Sequence, residues 1–309
     1  MRALRAQVEA VPSLADRVTL SARPAHELSG LPEAHFDTIV VNSVVQYFPG
    51  ADYLTDVLRS AARLLAPGGA LFVGDVRNLR LHRTLAAAVE AGRTPADDKE
   101  ALRAAVDRAV AWEGELLLDP DYFAALDGFT ADIRLKRGTH HNELTRYRYD
   151  VVLRPGTAPA TVPAQTLPWS ALGTPEALGA ALAARTAPLR VTGIPNARLA
   201  PDLAALGRLD DSSRAGGPGI DPETLHETAA RHGHRAALTW AADAEDGSVT
   251  RCSPPARRTR SCPRPGRRMP RPRRTPRPRR SPRPDRSTFP APPTRTPTAP
   301  RPSATSPRS

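Results

Sequence analysis

The stretch Phe36-Asp-Thr-Ile-Val-Val-Asn-Ser-Val-Val-Gln-Tyr-Phe48 decides the fold. Asp37 to Asn42 is dominated by β-branched residues and reads as a buried strand, and the polar pair Asn42-Ser43 marks where that strand leaves the core. A helix over Asp52–Leu65 follows, with Tyr53, Leu54, Val57, Leu58, Ala61, Leu64 and Leu65 on one face, ending at Pro67-Gly68-Gly69. Ala70–Val76 is a second strand, again with polar residues at its end (Asp75, Arg77, Asn78). Strand, helix and strand make one crossover unit, whose two polar tips lie side by side. Ligands of open parallel sheets bind at the carboxyl ends of the strands, so Asn42, Ser43 and Gln46 are candidates to read a bound cofactor.

Working outward, Met1–Val11 reads as amphipathic helix and Val18–Ala22 as a short strand. Leu79–Ala91 and Asp97–Trp112 are further helices separated by Pro95, and Asp119-Pro120 starts another. Thr130–Arg137 and Tyr147–Leu153 are antiparallel strands joined by the polar loop Gly138-Thr-His-His-Asn-Glu-Leu144. Residues 155–174 read as a linker following a core of residues 1–154. An accessory α/β region, 175–250, holds helix Pro175–Arg185, strand Leu189–Ile194, helix Pro201–Gly207, helix Pro222–His232 capped by Asp221, and strand Arg235–Trp240. A further strand begins at Val249-Thr250.

Charge divides the chain. Residues 251–309 hold 18 Arg against one Asp, +17 of the overall +12, which leaves −5 on the first 250 residues. Half of the 34 prolines fall in that tail, so it reads as disordered. Its arginines suit at most non-specific, salt-sensitive nucleic-acid binding, since Phe289 is its only aromatic residue. Cys252 and Cys262 both lie there, which removes thiol chemistry from the rest of the chain. His140-His141 point in opposite directions on an extended loop, with too few partners for a metal site. No run approaches the ~18 apolar residues of a membrane span, and the start lacks a signal-peptide core. A soluble, cytoplasmic protein is expected, with no membrane partner.

Three strings together resemble the N-methyltransferase domain embedded in nonribosomal peptide synthetases, a class I S-adenosylmethionine (SAM) methyltransferase. They are Val41-Asn-Ser-Val-Val-Gln-Tyr-Phe-Pro49, Gly74-Asp-Val-Arg-Asn78 and Lys136-Arg-Gly-Thr-His-His-Asn-Glu-Leu-Thr-Arg-Tyr-Arg-Tyr-Asp150. Glu113-Gly-Glu-Leu-Leu-Leu-Asp-Pro-Asp-Tyr-Phe123 is similar to a fourth. The similarity runs to about Thr250, and Ile194-Pro-Asn-Ala-Arg198 and Asp221-Pro-Glu-Thr-Leu225 look like the family's accessory region.

The resemblance implies an α/β, Rossmann-like sheet in the order 3-2-1-4-5-7-6. Its first two strands, with their Gly-rich loop and acidic tip, are absent here, so the expected sheet is incomplete. It also implies SAM as cofactor and, in the intact parent, partner adenylation and aminoacyl carrier domains, with methyl transfer to the α-amine of a carrier-bound aminoacyl thioester. Such an amine titrates near ~7.7–8 and needs only an acceptor aimed at it, for which Glu143 and Asn142 are the catalytic candidates. Asn42 and Ser43, with Ala25 and His26 on the adenine side, would bind SAM; Gln46, Asp75, Arg77, Asn78 and Arg146 would bind substrate.

Each residue has a plainer reading. Glu143 suits a surface pair with Arg146, Asn42-Ser43 a polar strand end, His26 an exposed loop, Asp75 a structural network with Arg77, and Tyr147 and Tyr149 packing on one strand face. For the chain as a whole, the rivals are a remnant that does not bind SAM and a nucleic-acid binder acting through its tail.

Overall fold

A computed structural model describes residues 1–95, 97–156, 164–210, 219–241 and 247–253. The chain divides into two units, Met1–Thr259 and Arg260–Ser309, and every described residue belongs to the first.

Helices α1 (Arg2–Glu9) and α2 (Pro12–Ala15) bury no residue. Val18–Ala22 forms no strand, contrary to expectation. The segment pairs with no described strand, and an isolated strand leaves its backbone groups without a ladder. Strand β1 (Phe36–Asn42) pairs in parallel with β2 (Leu65–Arg77) across α3 (Ala51–Leu64). Leu54, Val57, Leu58, Ala61 and Leu64 of α3 are buried at helical spacing, each Leu or Val contributing roughly 1.5–3 kcal/mol of transfer free energy. Asp52 in its first turn and Arg63 in its last complement the helix dipole. The Pro67-Gly68-Gly69 stop lies inside β2, where the pairing slips between Phe36 and Thr38 and Gly68 takes a φ of +82°.

Two helices, α4 (His82–Ala91) and α5 (Lys99–Ala111, capped by Asp98), lead to the short α6 (Pro120–Ala124), capped by Asp119. Strand β3 (Phe129–Leu135) then runs antiparallel to β4 (Arg148–Pro155), completing a sheet of order β1-β2-β4-β3. This is the expected 4-5-7-6 half of the sheet. As its edge strand, β1 is hydrogen-bonded on one side only, and Val40 is 60% exposed. The expectation of a fully buried β1 therefore fails, since nothing among the described residues flanks its other edge.

The second sheet, β5-β6-β8-β7, draws on residues expected to be linker and tail. Strand β5 (Gln165–Pro168) pairs in parallel with β6 (Leu189–Ile194), and Trp169 just after it is buried. Between β5 and β6 lies α8 (Pro175–Ala183). Beyond them come α9 (Ala200–Asp210), α10 (Pro222–Arg231), β7 (Ala237–Trp240) and β8 (Val249–Ser253). Cys252 thus sits in a strand, and the tail beyond Ser253 lies outside the described residues. One apolar core spans both sheets, from Leu58 and Tyr149 to Val191 and Trp240. No helix among the described residues is long and apolar enough to cross a membrane.

Candidate functional site

The tips of β1 and β2 are tied together. Ser43 Oγ donates to Asp75 Oδ2, and Asn42 Nδ2 donates to Ser43 Oγ at 2.9 Å and reaches Asp75 Oδ2 at 3.4 Å. Ser43 and Asp75 both take left-handed backbone, with φ of 58° and 61°, which turns their side chains toward one another at the cost of strain. A methyl group on Gly74 would run into the Asn42 side-chain oxygen and the Phe72 ring, so a larger residue there would have to displace them. Gln46 is buried, its Nε2 donating to the Ser43 carbonyl at 3.3 Å.

Asp75 pairs with Lys136, not with Arg77. Lys136 Nζ lies 2.5 Å from Asp75 Oδ1 and 2.7 Å from Asp150 Oδ1, and Asp150 also accepts from the Asp75 amide. Burial alone would push the Asp75 carboxyl up, but hydrogen bonds from Lys136 and Ser43 outweigh it and hold the group below its ordinary range. Arg77 turns away to Glu113 at 2.7 Å and Glu115 at 2.9 Å. Arg146 is held by Asp202 at 3.1 Å, and Tyr147 Oη donates to the same carboxylate. Neither Arg77 nor Arg146 joins the Asn42–Ser43–Asp75 cluster.

The expected loop is helical only at its last two residues, and the helix runs on into the start of the expected strand. Glu143–Tyr147 form α7, with Asn142 as its cap, its side-chain oxygen accepting from Thr145 N at 3.1 Å. That oxygen is engaged, which leaves Glu143 as the carboxylate on offer. Glu143 pairs with Arg148 at 2.8 Å rather than with Arg146, and half of its side chain is exposed. Arg77, Asn78, Glu143 and Arg148 line one small cavity, along with Leu81, His82, Leu85, Leu117 and Tyr147. His26 Nδ1 meets Tyr53 Oη at 2.8 Å on an exposed surface, and Ala25 beside it is half-buried.

This geometry, with polar side chains converging at the carboxyl ends of adjacent parallel strands, is accompanied by similarity in sequence. Residues 2–73 match the methyltransferase domain family. A probable non-canonical nonribosomal peptide synthetase, CymA, of Salinispora arenicola is 45% identical over 234 residues, 74% of this chain. Chondramide synthase cmdD of Chondromyces crocatus is 38% identical over 272 residues, 80% of this chain, and the beauvericin nonribosomal cyclodepsipeptide synthetase of Beauveria bassiana is 35% identical over 156 residues, 47% of it. The chain carries a methyltransferase domain of the nonribosomal peptide synthetase kind. It spans only 3%, 7% and 5% of the lengths of those three relatives.

Within the methyltransferase domain, the matched segment contains Ala25, His26, Asn42, Ser43 and Gln46 and stops just short of Asp75. Sequence reasoning passed over Lys136, Asp150 and Arg148, which complete the domain's ionic network. One signal was available: Lys136 is one of two lysines in a chain with 44 basic residues, so arginine's otherwise general use is suspended there. The accessory region also reaches this site. Arg198 donates to the carbonyls of Lys136 and Gly138 at 2.8 and 2.7 Å, Glu223 accepts from Arg137 and the Gly138 amide, and Asp221 meets His141 at 2.6 Å. Among the described residues no cluster of His, Cys, Asp or Glu is arranged to hold a metal ion.

Proposed function

We propose that this chain supplies the acceptor side of a SAM-dependent methyltransferase site that, within an intact synthetase, methylates the α-amine of an aminoacyl thioester held on a carrier domain, beside an adenylation domain. The observation that carries this reading is the convergence of Asn42, Ser43 and Asp75 on a single cluster at the strand tips. The missing side chain at Gly74 lets the Asn42 amide lie across β2, at the tip where the amino-acid end of SAM would sit. Asn42 and Ser43 would hold that end, with Ala25 and His26 toward the adenine. The cofactor, when bound, supplies an electrophilic methyl group.

The chain's own residues then have to align an amine and accept its proton. Glu143, at the start of α7, would accept a hydrogen bond from the amine and so orient its lone pair. Asp75 is committed to Lys136 and Ser43 and acts as a fixed support for the tip. On this reading the Gly-rich loop and acidic strand tip that would cradle the adenosine end are not supplied by β1 or by the residues before it. Titration calorimetry with S-adenosylhomocysteine tests the proposal. Saturable binding tighter than about 1 mM, weakened by Ser43→Ala, supports it. No heat up to that concentration refutes it in favour of a remnant that does not bind SAM.

A further inference from the structure

The residues lining the cavity between β2, α4 and α7 carry buried polar atoms without a hydrogen-bond partner: Asn78 Nδ2, Arg148 Nε and the ring nitrogens of His82. Asn78 is 3% exposed, and its amide orientation is fixed because Oδ1 accepts from Arg80 N at 3.0 Å. Its backbone is fixed as well, with N donating to the Tyr147 carbonyl at 3.0 Å. This leaves Asn78 Nδ2 buried without an acceptor. Arg148 is in a similar position: one guanidinium nitrogen, Nη2, binds Glu143, while Nε is buried and unpartnered. Two orphaned donors lining one cavity cost roughly 1–3 kcal/mol each if nothing fills it. The free space, about 10 Å³, admits a single oxygen-sized group.

The charge around the cavity narrows the choice of oxygen. Arg77 is matched by Glu113 and Glu115, and Arg148 by Glu143, so two guanidinium groups face three carboxylates. Burial pushes His82 down against the pull of Glu113, which keeps the imidazole uncharged near neutral pH. A further carboxylate would meet net repulsion. A neutral acceptor would not.

We infer that Asn78 Nδ2 and Arg148 Nε form a donor pair for a neutral acyl carbonyl oxygen, that of the thioester whose amine is offered to Glu143. The inference rests on the methyl-transfer reading for the identity of the acyl group, and on the two orphaned donors for the site itself. A carbonyl held there would fix the acyl group next to Glu143 on the same cavity wall, making Arg148 both the partner of the carboxylate and the anchor of the substrate.

The test is 1H–15N spectroscopy of the full chain, following the Arg148 Nε–Hε and Asn78 side-chain amide signals. The probe is S-acetyl-N-acetylcysteamine, a thioester without an amine, with acetate as the second arm. Saturable shifts of both signals with the thioester are expected, with weaker ones for acetate. Arg148→Lys keeps the charge opposite Glu143 but has no Nε–Hε, and it should weaken binding about tenfold. Asn78→Asp, which replaces the donor by an acceptor, should abolish it. Absence of shifts, equal or tighter response to acetate, or undiminished thioester binding by Arg148→Lys would each overturn the inference. Should Asn78→Asp fail to fold, Arg148→Lys decides alone. Binding of the thioester by a chain that gives no heat with S-adenosylhomocysteine would leave the carbonyl site standing and remove the methyl-transfer reading; the reverse pattern would do the opposite.

Discussion

Replacing Arg198 by Met should loosen the segment that carries Glu143 without touching Glu143 itself. Arg198 is fully buried and donates to the carbonyls of Lys136, Gly138 and Thr145 at 2.8, 2.7 and 3.4 Å. Asp221 and Glu223 lie 3.7 and 3.6 Å from the guanidinium. Methionine fills much of the same volume but donates nothing. The ionic part of the loss is small, because Glu223 keeps Arg137 and Asp221 keeps His141. The orphaned carbonyls dominate, at roughly 1 kcal/mol each, so the variant should lose about 2–4 kcal/mol. With a urea slope of about 3 kcal/mol per molar, the midpoint should fall by about 1 M at unchanged slope. Amides of residues 136–145 should exchange faster in the native state, while those of α3 keep pace with the global change. A midpoint shift below about 0.3 M with unchanged exchange over 136–145 would refute the claim that Arg198 clamps this segment.

Other outcomes follow from single contacts. Arg137 and the Gly138 amide hold Glu223 down at about 2 against an ordinary 4.5, so its contribution to stability is fully present above pH 4.5 and is lost as pH falls toward 2. Glu223→Gln should flatten acid unfolding in that window, by about 1–2 kcal/mol once the exposure of Arg137 is allowed for, and identical acid titration curves would contradict it. Gly74→Ala should displace the Asn42 amide, lower stability by about 1–3 kcal/mol and weaken S-adenosylhomocysteine binding; wild-type affinity by calorimetry would count against the Asn42 assignment. In an intact synthetase, Glu143→Gln should lower the rate of N-methylation by about 100-fold, whereas an unchanged rate would take Glu143 out of the mechanism.

Local signals carried most of the fold. The i, i+3, i+4 spacing of α3, the caps Asp119 and Asp221, and the span of β6 are all properties of neighbouring residues, and all appear in the structure. What escaped depends on partners distant in sequence. Gln165–Pro168 becomes a strand beside the parallel edge of β6, whereas Val18–Ala22 pairs with no described strand and stays irregular. The α7 cap was readable in principle, since Asn142 followed three residues later by Thr145 is a side-chain pair able to bond reciprocally to the backbone. The polar run Gly138–Leu144 hid it. The site followed the same rule: the two strand tips could be placed from their polar ends, but the choice of Lys136 over Arg77 as the partner of Asp75 is made by the registers of β4 with β3 and with β2.

The latter register also accounts for the strained backbone. Pairing between β2 and β4 slips between Val73 and Val76, the place where Asp75 turns left-handed and exchanges its ladder position for a hydrogen bond from its amide to the Asp150 side chain. Ser43 makes the matching turn as it leaves β1. Two non-glycine residues in this region cost on the order of 1–3 kcal/mol each unless their surroundings hold them, and here Lys136 grips Asp75 and Asp150 together while the Ser43 hydroxyl closes onto the same carboxylate. Lys136 belongs to the segment that Arg198, in the turn after β6, and Glu223, in α10, fasten from the accessory region. The shape of the strand tips is therefore maintained through Lys136 by Arg198, 62 positions further along the chain, and by Glu223, 86 positions beyond the Arg137 it holds, which makes the accessory region part of the site's construction.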